Sequence, residues 1–332
     1  MKIIKPSFKE MFNNNPQKHI ELIARTCYKS EDKITEDSHK VMMSNLYKNK
    51  HWAMLEHFIF IIEIKIPSTF YTLQRANLKY FNFTDHFDLK KERKCYLVSC
   101  SARGILDILK NHNNFDDEIL EHISGIKRQI IFNYECYELF GSNIGNDYSC
   151  FDIVNDISEY DIKNQLIHGW HSVKFICDRG VSHEIVRHRE ASFAQESTRY
   201  CNYAKDKFGK EITVIKPCYL KDDSDDSNNE MVAWGVWKRA IENSEKSYFE
   251  MLDLGCNSQE ARAVLPNSLK TEIIMTAHNY EWEHFFELRC DKAAHPQMRE
   301  LALPLLQEFS LNYPLIFSDI KNKFKNDIIE RN

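Results

Sequence analysis

Residues 187–200, with the sequence RHREASFAQESTRY, are the stretch on which the interpretation of this chain depends. They include three arginines, a histidine, two serines, a glutamine and a tyrosine. Arginine presents a planar fork of N–H donors that binds phosphate bidentately and stays charged at ordinary pH. The neutral polar side chains add further donors and acceptors. The set therefore suits a ligand that carries both a phosphate and a planar polar ring.

The segments around this stretch show a mixture of strand and helix patterns. Runs rich in β-formers predict strands at residues 58–66, 95–98, 173–177 and 211–216. Apolar residues at helical spacing predict helices at residues 17–29, 36–49, 102–111, 115–140, 230–254, 267–278, 281–289 and 296–312. Charged or Asn-rich patches predict surface loops at 85–94, 143–165 and 221–229. This order favours the α+β class, with helices packed on a small antiparallel sheet.

Bulk composition narrows the class of protein. The chain has 332 residues and a formal net charge of −5, which argues against a protein that coats nucleic acid or an anionic membrane. No run approaches the ~20 apolar residues of a membrane span. The first residues do not resemble a signal peptide. The ten cysteines include no Cys-x-x-Cys pair, so we interpret them as reduced thiols and expect a cytoplasmic protein without a structural metal.

Several polar residues are candidates for a site, and each has a structural alternative. Arg187 and Arg189 are two positions apart, so they point in different directions and can serve two anions, or they can form an ordinary basic helix end. His51 and His57 flank a turn before a strand, where histidines often only find hydrogen-bond partners. Arg262 and Arg289 each lie among apolar residues in the sequence. Burial of their charged side chains would require either an anionic ligand or a structural ion pair.

The spacing Arg-His-Arg, seven residues, Ser, which ends at Ser197, resembles the signature of the flavin-dependent thymidylate synthases. Other blocks resemble the same family in the same order. They are the first-helix segment Ala24–Tyr28, the segment HWAMLEH at 51–57, an Ala-Arg-x-x-Leu-Pro block at 261–266 and a Phe-x-x-Leu-Arg block at 285–289. The resemblance covers roughly residues 17–66 and 171–312.

The resemblance implies a domain organisation. Residues 1–66 and 169–332 are expected to form the flavin-dependent thymidylate synthase domain, and residues 67–168 an insertion of mixed helix and loop. Because the motif blocks flank this segment, we expect its Arg75, Tyr80 and Arg103 to lie away from the chemical centre.

The resemblance also implies an activity. The expected reaction is the reductive methylation of dUMP to dTMP, with methylenetetrahydrofolate as carbon donor and NADPH-reduced FAD as hydride source. The family implies a homotetramer with active sites at subunit interfaces, without nucleic-acid or membrane partners. The chain has no Gly-x-Gly-x-x-Gly, so FAD is not expected in a Rossmann crevice.

Site residues follow from the resemblance position by position. Arg289 is the expected catalytic residue, beside the pyrimidine ring. The expected substrate-binding residues are Glu184, Arg187, Gln195, Glu196, Ser197, Thr198, Arg199, Arg262 and Arg289. The expected cofactor-binding residues are His51, Arg187, His188, Arg189, Gln195, His278, Asn279, Tyr280 and His284.

Some positions depart from the family pattern. Glu184 stands where the family often has Gln, and His278 and Tyr280 stand where Asn and Arg often meet the flavin. Ala53 replaces a small hydroxyl residue. These departures leave open an alternative, a non-catalytic nucleotide- or flavin-binding protein on the same fold. Ser197 has no sequence-adjacent base, so we interpret it as a substrate-binding hydroxyl rather than a nucleophile.

Overall fold

The computed structural model describes residues 1–140, 150–205, 209–220 and 228–329. Ten strands are assigned in this part of the chain. They are β1 (Lys2–Ile4), β2 (Ser7–Met11), β3 (Ile59–Ile64), β4 (Phe81–Asp88), β5 (Arg93–Ser101), β6 (Phe151–Ile153), β7 (Trp170–Asp178), β8 (Ser192–Gln195), β9 (Thr213–Ile215) and β10 (Lys270–His278). They form a four-stranded sheet β2-β7-β10-β8, a four-stranded sheet β4-β5-β3-β6 and a parallel pair β1-β9.

The helices pack around these sheets. They are α1 (Pro16–Tyr28), α2 (Ser38–Lys48), α3 (Pro67–Arg75), α4 (Ala102–Lys110), α5 (Asp117–Tyr134), α6 (Tyr137–Phe140), α7 (Ile162–His168), α8 (Arg179–Ile185), α9 (Asn228–Asp253), α10 (Ser258–Ala261), α11 (Asn279–Arg289), α12 (Pro296–Asn312), α13 (Pro314–Lys323) and α14 (Lys325–Ile329). Both four-stranded sheets are antiparallel, which confirms the α+β class. None of these helices is long and apolar enough to cross a membrane.

The sheet that contains β7 and β10 forms the centre of the molecule. These two strands pair along their whole length, from Trp170 opposite His278 to Asp178 opposite Lys270. Their apolar side chains pack against α11 and α12 in one buried cluster. The prediction of a helix at 267–278 is therefore wrong. The β-branched residues of this segment favour a strand, and pairing with both β7 and β8 satisfies its backbone groups.

The second sheet includes residues from the segment 67–168. β3 pairs with β5 on one side and with β6 on the other, and β5 pairs with β4 from Phe81 to Asp88. The strand predicted at 95–98 lies within β5, whereas β4 and β6 were missed, and residues 85–88 belong to β4 rather than to a loop. Pairing across the sheet, which no local pattern shows, is what stabilises them. The domain boundaries at 67 and 168 stay a prediction.

Several local predictions are confirmed. Helix α1 begins after Asn15, whose side chain accepts the Gln17 and Lys18 N–H groups, and α12 has the bounds expected from its pattern. The expected loops at 143–165 and 221–229 fall partly outside the described residues, since 141–149 and 221–227 are not described. In the described parts the loop prediction is wrong at β6, at the start of α7 and at the start of α9.

Buried neutral histidines predict that acid destabilises the fold. Burial lowers the pKa of His19 to about 4 and that of His57 and His168 to about 3. The unfolded chain therefore binds more protons than the folded one between the folded pKa values and about 6.5, so the free energy of unfolding decreases as pH falls through this window. Urea denaturation at pH 7, 5.5 and 4 measures this dependence.

His168 provides the matched variant for that experiment. Its ring nitrogens hydrogen-bond with Thr84 Oγ1 at 2.8 Å and Ser99 Oγ at 2.9 Å. His168→Gln removes one titrating group, so we expect a weaker pH dependence together with lower stability at pH 7. Equal stability of the unaltered protein at pH 7 and pH 4 would contradict the prediction.

Candidate functional site

The Arg187–Arg189 run lies in the connection between α8 and β8. Asp178 caps the start of α8 by accepting the Val181 N–H at 2.7 Å. His188 is 3% exposed, whereas Arg187 and Arg189 are exposed and form no ion pair with another described residue. The run therefore places two unpaired cations around a buried imidazole.

Arg289 lies at the end of α11 and makes three hydrogen bonds. Its Nη1 donates to Glu184 Oε2 at 3.0 Å, its Nη2 to the Glu184 carbonyl at 2.8 Å and its Nε to His188 Nε2 at 3.1 Å. Burial and the nearby Arg187 lower the pKa of Arg289, and the Glu184 carboxylate opposes this shift. Arg289, the predicted catalytic residue, thus forms one cluster with Glu184, predicted to bind substrate, and His188, predicted to bind the cofactor.

His188 is held in one tautomer by this cluster. Because Arg289 can only donate, His188 Nε2 must accept, and Nδ1 carries the proton towards Glu281 Oε1 at 3.0 Å. His284 lies beside His188, with ring centroids 5.7 Å apart. His188, Glu281 and His284 have metal-ligand types, but both nitrogens of His188 are already used in hydrogen bonds. Glu281 therefore fixes the orientation of the His188 ring, and His188 in turn fixes the orientation of Arg289.

A first cavity of about 250 Å³ lies between residues 80–82, residues 189–192 and the end of β10. Arg189, His278 and Tyr280 line it, whereas Asn279 donates instead to the Gln165 carbonyl at 2.9 Å. The His278 and Tyr280 rings stack with an interplanar angle of 9° and centroids 5.7 Å apart. Burial lowers the pKa of His278 to about 4, so this stack is neutral at pH 7.

A second cavity of about 590 Å³ lies between the end of α1, the turn at residues 50–54 and α4. His51, Arg199 and Tyr200 line it, as do Lys50 and Arg103. The His51 Nδ1 atom hydrogen-bonds with the Tyr28 hydroxyl at 3.0 Å. This cavity collects residues from both the first motif block and the arginine-rich stretch.

Other predicted residues are engaged inside the protein. Gln195 Nε2 donates to Ser182 Oγ at 2.9 Å and to Thr271 Oγ1 at 3.2 Å. Glu196 is 4% exposed and accepts a bond from Lys270 Nζ at 2.8 Å. Their roles in substrate binding stay predictions.

The remaining predicted residues continue from this point along the chain. The Ser197 N–H donates to the Cys27 carbonyl at 3.2 Å. Arg262 is exposed and makes one long hydrogen bond, at 3.4 Å, to Thr198 Oγ1. Arg199 lies over the Tyr200 ring at 5.4 Å from its centroid. Arg199 and Arg262 are thus both exposed, and their role in substrate binding stays a prediction.

The sequence did not indicate several residues that line the two cavities, and five of these are polar residues of the HWAMLEH block or of the segment 67–168. They are Glu56, Tyr80, Asn82, Ser101 and Arg103. Glu56 lies inside the quoted HWAMLEH block, which was its only signal, while the other four belong to the segment expected to lie away from the site. Arg75, from the same segment, lines neither cavity.

Comparison with known proteins supports the assignment of these blocks. The family model described as thymidylate synthase complementing protein matches residues 10–86 and 146–315. The internal residues outside this match are 87–145, a shorter segment than the predicted insertion.

Individual relatives match shorter regions. Proteins named flavin-dependent thymidylate synthase are 34% identical over 134 residues in Pyrococcus furiosus and 32% identical over 185 residues in Saccharolobus solfataricus. These alignments cover 40% and 53% of this chain, and 51% and 66% of the relatives. The chain thus spans about half the length of the first of these relatives.

One solved structure was also compared. A UMP/dUMP methylase PolB from Streptomyces cacaoi, bound with 5-Br UMP, has a TM-score of 0.43 and 11% identity, with 97% of this chain and 96% of that chain covered. The family assignment depends on the sequence match, which includes the arginine-rich stretch and the blocks around Glu56, Arg262 and Arg289. On this match, the chain belongs to the thymidylate synthase complementing protein family, whose members named above are flavin-dependent thymidylate synthases.

Proposed function

We propose that this protein methylates dUMP reductively to dTMP, with methylenetetrahydrofolate as carbon donor, NADPH as reductant and FAD as bound cofactor. The main observation in support of the proposal is the cluster formed by Arg289, Glu184 and His188. The Arg289 guanidinium is partly buried, is oriented by Glu184 and His188, and lies close enough to the exposed Arg187 for the two charges to interact. Such a group can stabilise negative charge that develops on a pyrimidine ring.

The residues present suit FAD. The second cavity has cations for phosphates, and the first has a polar, partly enclosed volume beside Arg189 and the neutral His278–Tyr280 stack. A volume of about 250 Å³ is below the ~300–1,000 Å³ of typical ligand pockets, so it accommodates one ring system rather than a dinucleotide. Flavin supplies the hydride chemistry when bound.

The protein's own residues bind, orient and polarise the substrate. In this proposal Arg289 donates to the ring carbonyl of dUMP and stabilises the negative charge that develops there when the ring is activated for methylation. Arg187, Arg199 and Arg262 hold the phosphate and sugar, and Gln195, Glu196, Ser197, Thr198 and Glu184 complete the pocket. His188 acts through Arg289, since its Nε2 fixes the guanidinium plane.

The separation of these groups supports active sites at subunit interfaces. Arg289 and Glu184 form one cluster, while Arg199 lines the second cavity with His51. A homotetramer would allow one chain to supply the arginine cluster and another the cavity. We propose this assembly, and a cytoplasmic location, on the family relationship.

The alternative is a protein that binds nucleotide and flavin without turnover. The Glu184–Arg289 ion pair favours it, because a carboxylate that already neutralises the arginine competes with the substrate. The three hydrogen bonds of Arg289 leave two of its five N–H groups, so turnover requires dUMP either to use these two groups or to displace Glu184.

The absorbance spectrum of purified protein, followed by a dTMP assay, tests both possibilities. A yellow protein that NADPH bleaches, and that forms dTMP from dUMP and methylenetetrahydrofolate, is the expected result. A bleached flavin without dTMP would favour the binding protein, and absence of flavin after reconstitution with FAD would contradict both.

Arg189→Ala should weaken flavin binding. Arg189 lines the first cavity and has no internal ion pair, so its loss removes a charge-assisted contact worth about 1.5–3 kcal/mol, or roughly 10- to 150-fold in affinity. Fluorescence titration of the flavin-free protein with FAD measures the change. Unchanged flavin affinity would exclude Arg189 from the cofactor site.

A further inference from the structure

The charged side chains that line the second cavity are all positive. Lys50, Arg103 and Arg199 line it, and none of its lining residues is an aspartate or glutamate. The chain as a whole carries a net charge of −5, so this concentration of cations is local. Tyr28, Trp52 and Tyr200 provide aromatic surface in the same cavity. Cations beside aromatic rings match a phosphate joined to a planar base.

Arg103 comes from the segment that the motif blocks do not cover. It is the second residue of α4, which begins after Ser101, whose Oγ accepts the Gly104 N–H at 3.3 Å. The start of this nine-residue helix adds favourable potential for an anion. The positive charge of Arg103 and the N-terminal end of α4 therefore both favour an anion at this position.

The Arg103 side chain is held in place before any ligand arrives. Its Nη1 pairs with Glu56, its Nε lies 3.4 Å from Asp107 Oδ2, and its guanidinium lies 5.2 Å from the Tyr80 ring centroid. Its Nη2 has no hydrogen bond to the described residues, so a donor remains available. A pre-positioned arginine binds an anion with a small loss of side-chain entropy.

The same contacts connect the two cavities. Glu56 lines the first cavity and also accepts the Ser192 hydroxyl at 2.8 Å, so the Arg103–Glu56 pair stands between the arginine-rich stretch and the second cavity. Tyr80 and Asn82 line the first cavity opposite Arg189. The segment 67–168 therefore contributes lining residues to both cavities.

We propose that Arg103 binds a phosphate group of the nucleotide ligand in the second cavity, beside Lys50 and Arg199. The proposal rests on the proposed function for the identity of the ligand, which is either FAD or dUMP. Both carry phosphate and a planar base, and Arg103 is a binding residue in either case.

The test is titration of the flavin-free protein with FAD and, separately, with dUMP. Arg103→Ala should weaken binding of one of them about tenfold to a hundredfold, and the ligand affected identifies the source of the phosphate. Arg75→Ala is the matched control. Arg75 is exposed at the end of α3 in the same segment, and its side chain donates to the Tyr71 carbonyl at 3.1 Å.

A double variant separates direct binding from neutralisation of Glu56. If Arg103 contacts the phosphate, Arg103→Ala combined with Glu56→Gln stays weak. Recovery of affinity in the double variant would show that Arg103 acts only by cancelling the Glu56 charge, and would overturn the proposal. Arg103→Gln, which keeps a side chain able to reach Glu56, replaces alanine if that variant does not fold.

The outcomes distinguish this inference from the proposed function. Normal affinity of Arg103→Ala for both ligands, with binding by the unaltered protein, overturns the inference alone. Failure of the unaltered protein to bind either FAD or dUMP overturns both.

Discussion

Replacing Arg289 by alanine is expected to lower dTMP formation in a single turnover about 100- to 1,000-fold. This is the effect of removing one preorganised donor from a transition state, about 3–4 kcal/mol. The structure gives Arg289 this preorganisation through its bonds to Glu184 and His188. The measurement uses reduced protein, dUMP and methylenetetrahydrofolate, so that reduction by NADPH does not limit the rate.

Two further variants show whether the loss is specific. Arg289→Lys keeps the charge but loses the planar fork, so we expect some dUMP binding and little turnover. Arg239→Ala removes an exposed arginine on α9 and should leave turnover unchanged. Flavin should remain bound and reducible in all three proteins. Near-normal dTMP formation by Arg289→Ala would remove this residue from the mechanism.

Replacing Trp282 by alanine is expected to destabilise the protein by about 3–5 kcal/mol. Trp282 is fully buried on α11, in edge contact with Phe285 and Phe309 at ring-centroid distances of 5.3 Å. Its Nε1 donates to the His171 carbonyl at 3.2 Å. Truncation opens a cavity between the central sheet and the C-terminal helices and leaves this carbonyl without its partner.

Chemical denaturation measures the loss, and a neighbour on the same helix provides the control. Leu288 is 47% exposed, so Leu288→Ala should change the free energy of unfolding by less than about 1 kcal/mol. Because α11 also carries Arg289, Trp282→Ala should weaken dUMP binding as well. A stability loss no larger than that of Leu288→Ala would show that this core does not hold the helix in place.

Local patterns were sufficient for elements whose own residue types and spacing are distinctive. The β-rich run around β3 and the helical spacing of α12 identified both elements, with bounds for α12 that match the structure. The arginine-rich stretch and four other blocks identified the family and most candidate residues. These features depend on residue type and short spacing, which a sequence states directly.

Tertiary structure decided the features that join distant segments. The segment Lys270–His278 was predicted as a helix although its β-branched residues favour a strand, and its pairing with β7 and β8 makes the extended form the stable one. Arg289 and His188 hydrogen-bond across 101 positions, and the Arg103–Glu56 pair joins two segments 47 positions apart. The sequence by itself determined which side chains supply charge and hydrogen-bond donors. Their grouping into a cluster and two cavities is a property of the packed sheets and helices, since contacts between distant residues form only when the whole chain buries its apolar surface.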